Sequence, residues 1–367
     1  MGTIAGLEVG LPGSAEALEA SWMEAVLRTS GAIDDATMVA SVAVDRFEGG
    51  GLLSALYRAA LEYQGGDGPG SVFIKFPMDV PHQRAMADGF GVYPKEVGWY
   101  REIGPRSTIR TPKVHAAMIA EDKSDYCVVL EDLSHLRQAD RIGGMSWADA
   151  VVAIDALADY HADWTGSEEL EGLSELFFGL DSPVYRIGLP GVAGAGWPAA
   201  KRHAPEVLTG EAVELGDEWV DLLPTMIDRL ITEPTLCHCD WRADNMFFDD
   251  DGRVVIIDPQ IAGVQNLAYD IGYFISQSVE PEVYRGRIEE LVDRYVSTSR
   301  SRGVDLDPEA VLFDTRVAVA MCLMYGFASF PEFEHLDPAS QDAQKHILRR
   351  ASNAVTEFHA LAAVRDL

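Results

Sequence analysis

Three polar residues stand at a spacing that could do chemistry in the stretch Cys237-His238-Cys239-Asp240-Trp241-Arg242-Ala243-Asp244-Asn245. The pattern is His-x-Asp-x-x-x-x-Asn. It is followed by Met246-Phe247-Phe248, the turn signal Asp249-Asp250-Asp251-Gly252, and the apolar run Val254–Ile257 ending in Asp258. The turn between two apolar runs reads as a hairpin. One carboxylate, Asp240, is placed to receive or orient a hydroxyl proton. Two oxygen ligands, Asn245 and Asp258, suit Mg²⁺, which takes carboxylate and amide oxygens and fills its remaining shell with water and phosphate. Phosphoryl transfer needs little more from a protein than an aligned hydroxyl and cations on the building charge.

Such a site also needs a cation at the nucleotide's phosphates. Ser71-Val72-Phe73-Ile74-Lys75-Phe76-Pro77 is a short apolar strand with one lysine in it, and a lysine there is costly unless paired. The segment Tyr93 to Ile103 carries Val97, Tyr100 and Ile103 at helical spacing, with Pro94 suited to a first turn. It offers Glu96 as the partner of Lys75, with Glu102 as a fallback better read as surface charge. Two strand-like runs upstream flank Gly49, Gly50 and Gly51, whose backbone could approach phosphates closely. Segments 113–120 and 126–130 are further strand candidates leading to Glu131-Asp132-Leu133.

Taken in order, Val-Val-Leu-Glu-Asp-Leu (128–133), Leu-Ala-Asp-Tyr-His-Ala-Asp-Trp (157–164), the catalytic-loop stretch 238–248, Ile-Asp-Pro-Gln (257–260) and Tyr-Asp-Ile-Gly-Tyr-Phe (269–274) resemble segments of the aminoglycoside phosphotransferase and choline kinase superfamily, within it the ecdysteroid-kinase-like branch. The resemblance spans about Phe47 to Phe274. It implies an α+β, protein-kinase-like fold of two lobes. The smaller has an antiparallel sheet and one helix; the larger is mainly helical. It implies Asp240 as catalytic base, Asn245 and Asp258 as Mg²⁺ ligands, Lys75 and Glu96 at the phosphates of ATP, and the backbone of Glu131 and Leu133 as an adenine hinge. The chain departs from the family at Cys239, where glycine is usual, and at Pro259, where a large aromatic is usual. Neither change removes an acid, amide or amine that the chemistry requires.

Three domains follow: 1–40 as an N-terminal helix (Ala15–Arg28) with a linker, 41–132 as the nucleotide lobe, and 133–367 as the helical lobe with the catalytic loop and substrate pocket. Asp270, ahead of the helical run Ile271–Ser278, reads as an N-cap, and the resemblance adds a role bracing the catalytic loop. His161 reads as a packed histidine on an amphipathic helix. Arg242 meets either a phosphate or a nearby acid such as Asp244. Gly191–Gly196 reads as a mobile loop. The longest apolar stretch, Val317–Phe330, is shorter than the roughly twenty residues of a membrane span and reads as a buried central helix.

Composition bounds the partners. The 367 residues hold 29 Lys plus Arg against 59 Asp plus Glu, a net charge of −30 that repels nucleic acid and anionic membranes. The expected partner is a small hydroxylated molecule, with the oligomeric state open. Four cysteines in so long a chain fit a reducing cytoplasm better than a disulfide scaffold, and no second Cys/His pair completes a zinc site around Cys237 and Cys239. The leading reading is an ATP-dependent O-phosphotransferase. The alternatives are a nucleotide-binding regulatory module without turnover and a protein kinase, the latter disfavoured because only twelve residues separate Asp258 from Asp270, too few for a long activation segment.

Overall fold

The structure is a computed structural model that describes residues 9–47 and 53–367. It divides into two compact units, Met1–Leu136 with Ile257–Ile261, and Arg137–Ile256 with Ala262–Leu367.

The first unit is built on an antiparallel sheet of β1 (Met38–Arg46), β2 (Ser54–Gln64), β3 (Ser71–Pro77), β4 (Val114–Ile119) and β5 (Tyr126–Glu131), in the order β1-β2-β3-β5-β4. Strand β3 alternates in burial, as the period of two requires. Val72, Ile74 and Phe76 face a core shared with Met23, Val26 and Leu27 of α1 (Ala20–Thr29). Ser71, Phe73 and Lys75 therefore share the opposite face. The N-terminal helix is shorter than its sequence pattern: Ala15–Ala17 forms a separate 3-10 turn and Leu18 and Glu19 are extended.

Two helices, α2 (Pro81–Phe90) and α3 (Val92–Gly98), join β3 to β4. The first was not expected. Its apolar pattern is weak, and its signals are punctuation: Pro81 in the first turn and a left-handed Gly91 (φ 64°) at the end. The helix expected over 93–103 is present but changes character, since Trp99–Ile103 winds as a π-helix, a form frequent at functional sites.

The second unit opens with β6 (Arg137–Gln138), then α4 (Trp147–Ala162), α5 (Leu170–Leu176), α6 (Pro183–His203) and α7 (Gly210–Leu230). Next come β7 (Pro234–Cys237), β8 (Met246–Phe248), β9 (Val254–Ile256) and β10 (Gly263–Asn266). It closes with α8 (Ala268–Ser278), α9 (Pro281–Tyr284), α10 (Ile288–Ser301), α11 (Pro308–Phe327), α12 (Pro338–Glu357) and α13 (Ala360–Arg365). The β8–β9 hairpin pairs Met246 with Ile256. Gly191–Gly196, expected to be a loop, lies inside α6. Gly196 is closely packed, since a Cβ there would lie 2.6 Å from the Phe327 carbonyl oxygen, whereas Gly191 and Gly194 face open space.

Helix α11 outruns its apolar core because Asp307 caps it, accepting from the Glu309 N–H, with Pro308 in the first turn. The stretch Pro308–His335 is long and apolar enough to span a bilayer, but 72% of its most apolar window is buried inside the molecule. Buried α8 packs closely on α11. A Cβ on Gly272 would lie 2.7 Å from Ala318 Cβ and 2.9 Å from the Val319 nitrogen. Backbone cannot yield as a side-chain tip can. Gly272→Ala is therefore expected to destabilise by about 1–3 kcal/mol despite alanine's better helix propensity. A denaturation midpoint equal to or above wild type would contradict this packing.

Candidate active site

Lys75, Glu96 and Asp258 meet in the first unit. The Lys75 ammonium lies 2.6 Å from Glu96 Oε1 and contacts Asp258 Oδ1. Burial alone would lower the lysine's pKa, but Asp258 and Glu96 outweigh it and hold the pKa above the usual lysine value. Glu96 is fully buried on α3, and its Oε2 lies 3.2 Å from the Tyr126 hydroxyl, itself 2.7 Å from Ser54 Oγ. Tyr93 stacks on Tyr126 with centroids 4.5 Å apart. Gln260 Nε2 donates to Asp258 Oδ2 at 3.1 Å. Asp258 sits in the left-handed region at φ 68°, a sparsely populated conformation for a non-glycine residue. Two carboxylates face one ammonium here, and burial, working against the neighbouring Lys75, raises the pKa of Glu96. Glu102, by contrast, is exposed.

On the Lys75 face, Phe73 packs edge-to-face with Phe47 at 5.2 Å. At the end of β5, the Glu131 N–H donates to the Lys113 carbonyl at 2.8 Å and its Oε2 accepts from the Lys113 N–H at 2.9 Å. Buried Leu133 accepts from the Leu136 N–H at 2.8 Å. Between them, Asp132 is held down at about 2: burial pushes it up, but hydrogen bonds from Ser134 and Ser71 pull it further the other way. Gly49, Gly50 and Gly51 lie outside the described residues.

Asp240 and Asn245 meet in the second unit. Asp240 is buried, and Asn245 Nδ2 donates to its Oδ2 at 2.9 Å and to its backbone carbonyl at 2.9 Å. Spending the amide NH₂ this way leaves the Asn245 side-chain oxygen as its acceptor atom. Arg242 Nε lies 2.8 Å from Asp240 Oδ1 and 3.2 Å from Asp244 Oδ1, so both acids engage it. The Tyr273 hydroxyl donates to Asp240 Oδ1 at 2.6 Å. The sequence had offered Tyr273 only as part of a helical run.

The loop is held from below by Asp270. Its Oδ2 accepts the His238 N–H at 2.7 Å and its Oδ1 the Cys239 N–H at 2.8 Å. Asp270 lies inside the first turn of α8 and caps nothing; Asn266 Oδ1 instead accepts the Ala268 N–H at 2.8 Å. His161 Nε2 lies 3.1 Å from Asp270 Oδ2, and its Nδ1 lies 2.8 Å from the Tyr295 hydroxyl. His161, Cys237 and Asp270 converge closely enough to suggest a metal, but hydrogen bonds occupy both Asp270 oxygens, and the Cys237 thiol points at the carbonyls of Gln265 and Asn266. All four cysteines are buried. Cys239 has φ 65°, a left-handed position that explains why glycine is usual there.

Residues 90–301, more than half of the chain, match the model of the phosphotransferase enzyme family. The chain belongs to that family. A comparison with curated proteins found no match. Among solved structures, a microcompartment-associated aminopropanol kinase aligns at 14% identity and TM-score 0.53, covering 88% of this chain and 94% of the other. The GDP complex of wild-type aminoglycoside 2'-phosphotransferase-IIIa aligns at 13% identity and TM-score 0.52, covering 91% and 99%. An amicoumacin kinase in complex with AMP-PNP and Ca²⁺ aligns at 12% identity and TM-score 0.50, covering 86% and 89%. At these identities the likeness concerns the fold, which is the α+β, protein-kinase-like one.

Asp270→Asn would set an NH₂ group against a backbone N–H in a buried position. It should cost about 2–4 kcal/mol, read as a lowered urea midpoint. An unchanged midpoint would remove Asp270 as the brace of the loop.

Proposed function

We propose that this phosphotransferase carries the γ-phosphoryl group of ATP to a hydroxyl of a small molecule, as an enzyme of the ecdysteroid-kinase-like branch. The observation that carries the reading is the arrangement at Asp240. Its carboxylate is buried and fixed, yet keeps an unused lone pair. The amide that fixes it presents a hard oxygen beside it.

In this reading Asp240 aligns the acceptor hydroxyl and takes its proton. Lys75, kept charged by its two carboxylates, neutralises phosphate oxygens, and Glu96 holds Lys75 in place. Glu131 and Leu133 offer backbone groups to adenine, and Gly49–Gly51 offer backbone N–H groups to phosphate. Asn245 and Asp258 supply oxygen ligands of the kind Mg²⁺ prefers, and the excess negative charge around Lys75 fits a cation. Bound there, Mg²⁺ would offset charge on the phosphate oxygens.

Only four cysteines in a chain of 367 residues support a cytoplasmic setting. The net charge of −30 supports a neutral or cationic acceptor over an anionic one.

Asp240→Asn separates binding from chemistry. Affinity for an ATP analogue, measured by calorimetry, should stay within about threefold, while ADP release falls at least about 100-fold. Lys75→Ala should instead raise the KM for ATP. Undiminished turnover in Asp240→Asn would exclude Asp240 from the mechanism, and undiminished turnover in chelator-treated protein would exclude the metal.

A further inference from the structure

We infer that Tyr273 is a positioning residue that, together with Arg242, occupies one oxygen of Asp240 and assigns the other, Oδ2, to the acceptor's proton. The inference rests on the reading of Asp240 as the base.

An ionised carboxylate accepts at about four in-plane positions. On Asp240, Oδ1 accepts the Tyr273 hydroxyl at 2.6 Å and is ion-paired with Arg242, whose Nε lies 2.8 Å away. Oδ2 takes Asn245 Nδ2 at 2.9 Å. With the Arg242 guanidinium set against Oδ1, the open position is the second one on Oδ2. In the transfer step the hydroxyl proton passes to Oδ2 as the acceptor oxygen bonds to the γ-phosphorus. The bond from that phosphorus to the β–γ bridging oxygen breaks, and its electron pair leaves with ADP.

The two holders of Oδ1 differ. Arg242 is divided between Asp240 and Asp244, and 22% of its side chain is exposed. Tyr273 is 3% exposed, and its ring is clamped edge-to-face on Tyr325 at 4.6 Å and stacked on Tyr269 at 6.4 Å. Burial, then the neighbouring Asp240, holds its hydroxyl well above the ordinary tyrosine range, so it remains a donor wherever the protein is folded.

Tyr273 also stands three residues after Asp270 on α8, and residues at that spacing share a helix face. One face of one helix thus grips both the backbone of the loop, through Asp270, and the reacting side chain, through Tyr273.

Tyr273→Phe keeps the ring and deletes the hydroxyl. With MgATP alone as probe and water as acceptor, kcat for ADP release should fall about 10- to 100-fold, while the KM for ATP stays within about twofold and Tm within about 2 °C. An unchanged kcat, or a fall in kcat only in step with lost Tm, would overturn the inference. The wild type and Asp240→Asn are run alongside. Equal ADP release from those two would sink the functional reading instead. A readout independent of turnover then decides Tyr273: in protein carrying ¹³C-labelled aspartate, the Asp240 carboxylate resonance should shift in Tyr273→Phe. An unmoved resonance would show that the hydroxyl does not hold Asp240.

Discussion

The grip of the buried Asp270 carboxylate on two successive backbone N–H groups, those of His238 and Cys239, is the constraint on which the second unit's chemistry depends. A loop that passes through a left-handed non-glycine residue is not the chain's cheapest conformation. Charge-assisted hydrogen bonds from buried backbone stabilise it. Asp270 is positioned in turn by α8, which is fixed by close backbone packing on α11 at Gly272. Packing, hydrogen bonding and the direction of the Asp240 carboxylate thus form one sequence of causes.

The first unit solves an electrostatic problem. A buried ammonium beside one carboxylate would be balanced. Lys75 has two, Glu96 from a helix and Asp258 from a separate stretch of chain. Opposite charge keeps the amine protonated against the cost of burial. The π-helical turn after α3 follows directly on the segment that buries Glu96.

Much of this was legible because chemistry constrains residue type more tightly than fold does. Lys75 in an apolar strand, Glu96 at helical spacing and the acid-to-amide interval at Asp240 and Asn245 stand out in the sequence because few alternatives explain a polar residue there. The strands β3, β4 and β5 were legible as short apolar runs between turn signals. Helix α2 was not, because its pattern is mostly polar and only Pro81 and Gly91 mark it. The glycines of α6 misled for the opposite reason. A run of glycines signals a turn locally, yet the segment is helical, and the close approach of Gly196 to Phe327 is invisible in one sequence. The residues alone read Asp270 as a cap, since its partners lie about thirty residues earlier; only the family resemblance pointed to the brace. Tyr273 carried no signal beyond its helix, because a hydroxyl's partner is a matter of tertiary geometry.

The acceptor is the part of the chemistry written least plainly in the residues, yet the central claim can be tested without knowing it beforehand. ATP bearing heavy oxygen in its γ-phosphoryl group is incubated with the full chain, Mg²⁺ and a panel of amino sugars, amino alcohols, sterols and polyketide alcohols, and the products are weighed by mass spectrometry. The account predicts one class of alcohol gaining a labelled phosphoryl group in step with ADP. Nucleotide that binds but yields no labelled product on any acceptor, or label found only on the protein itself, would contradict it.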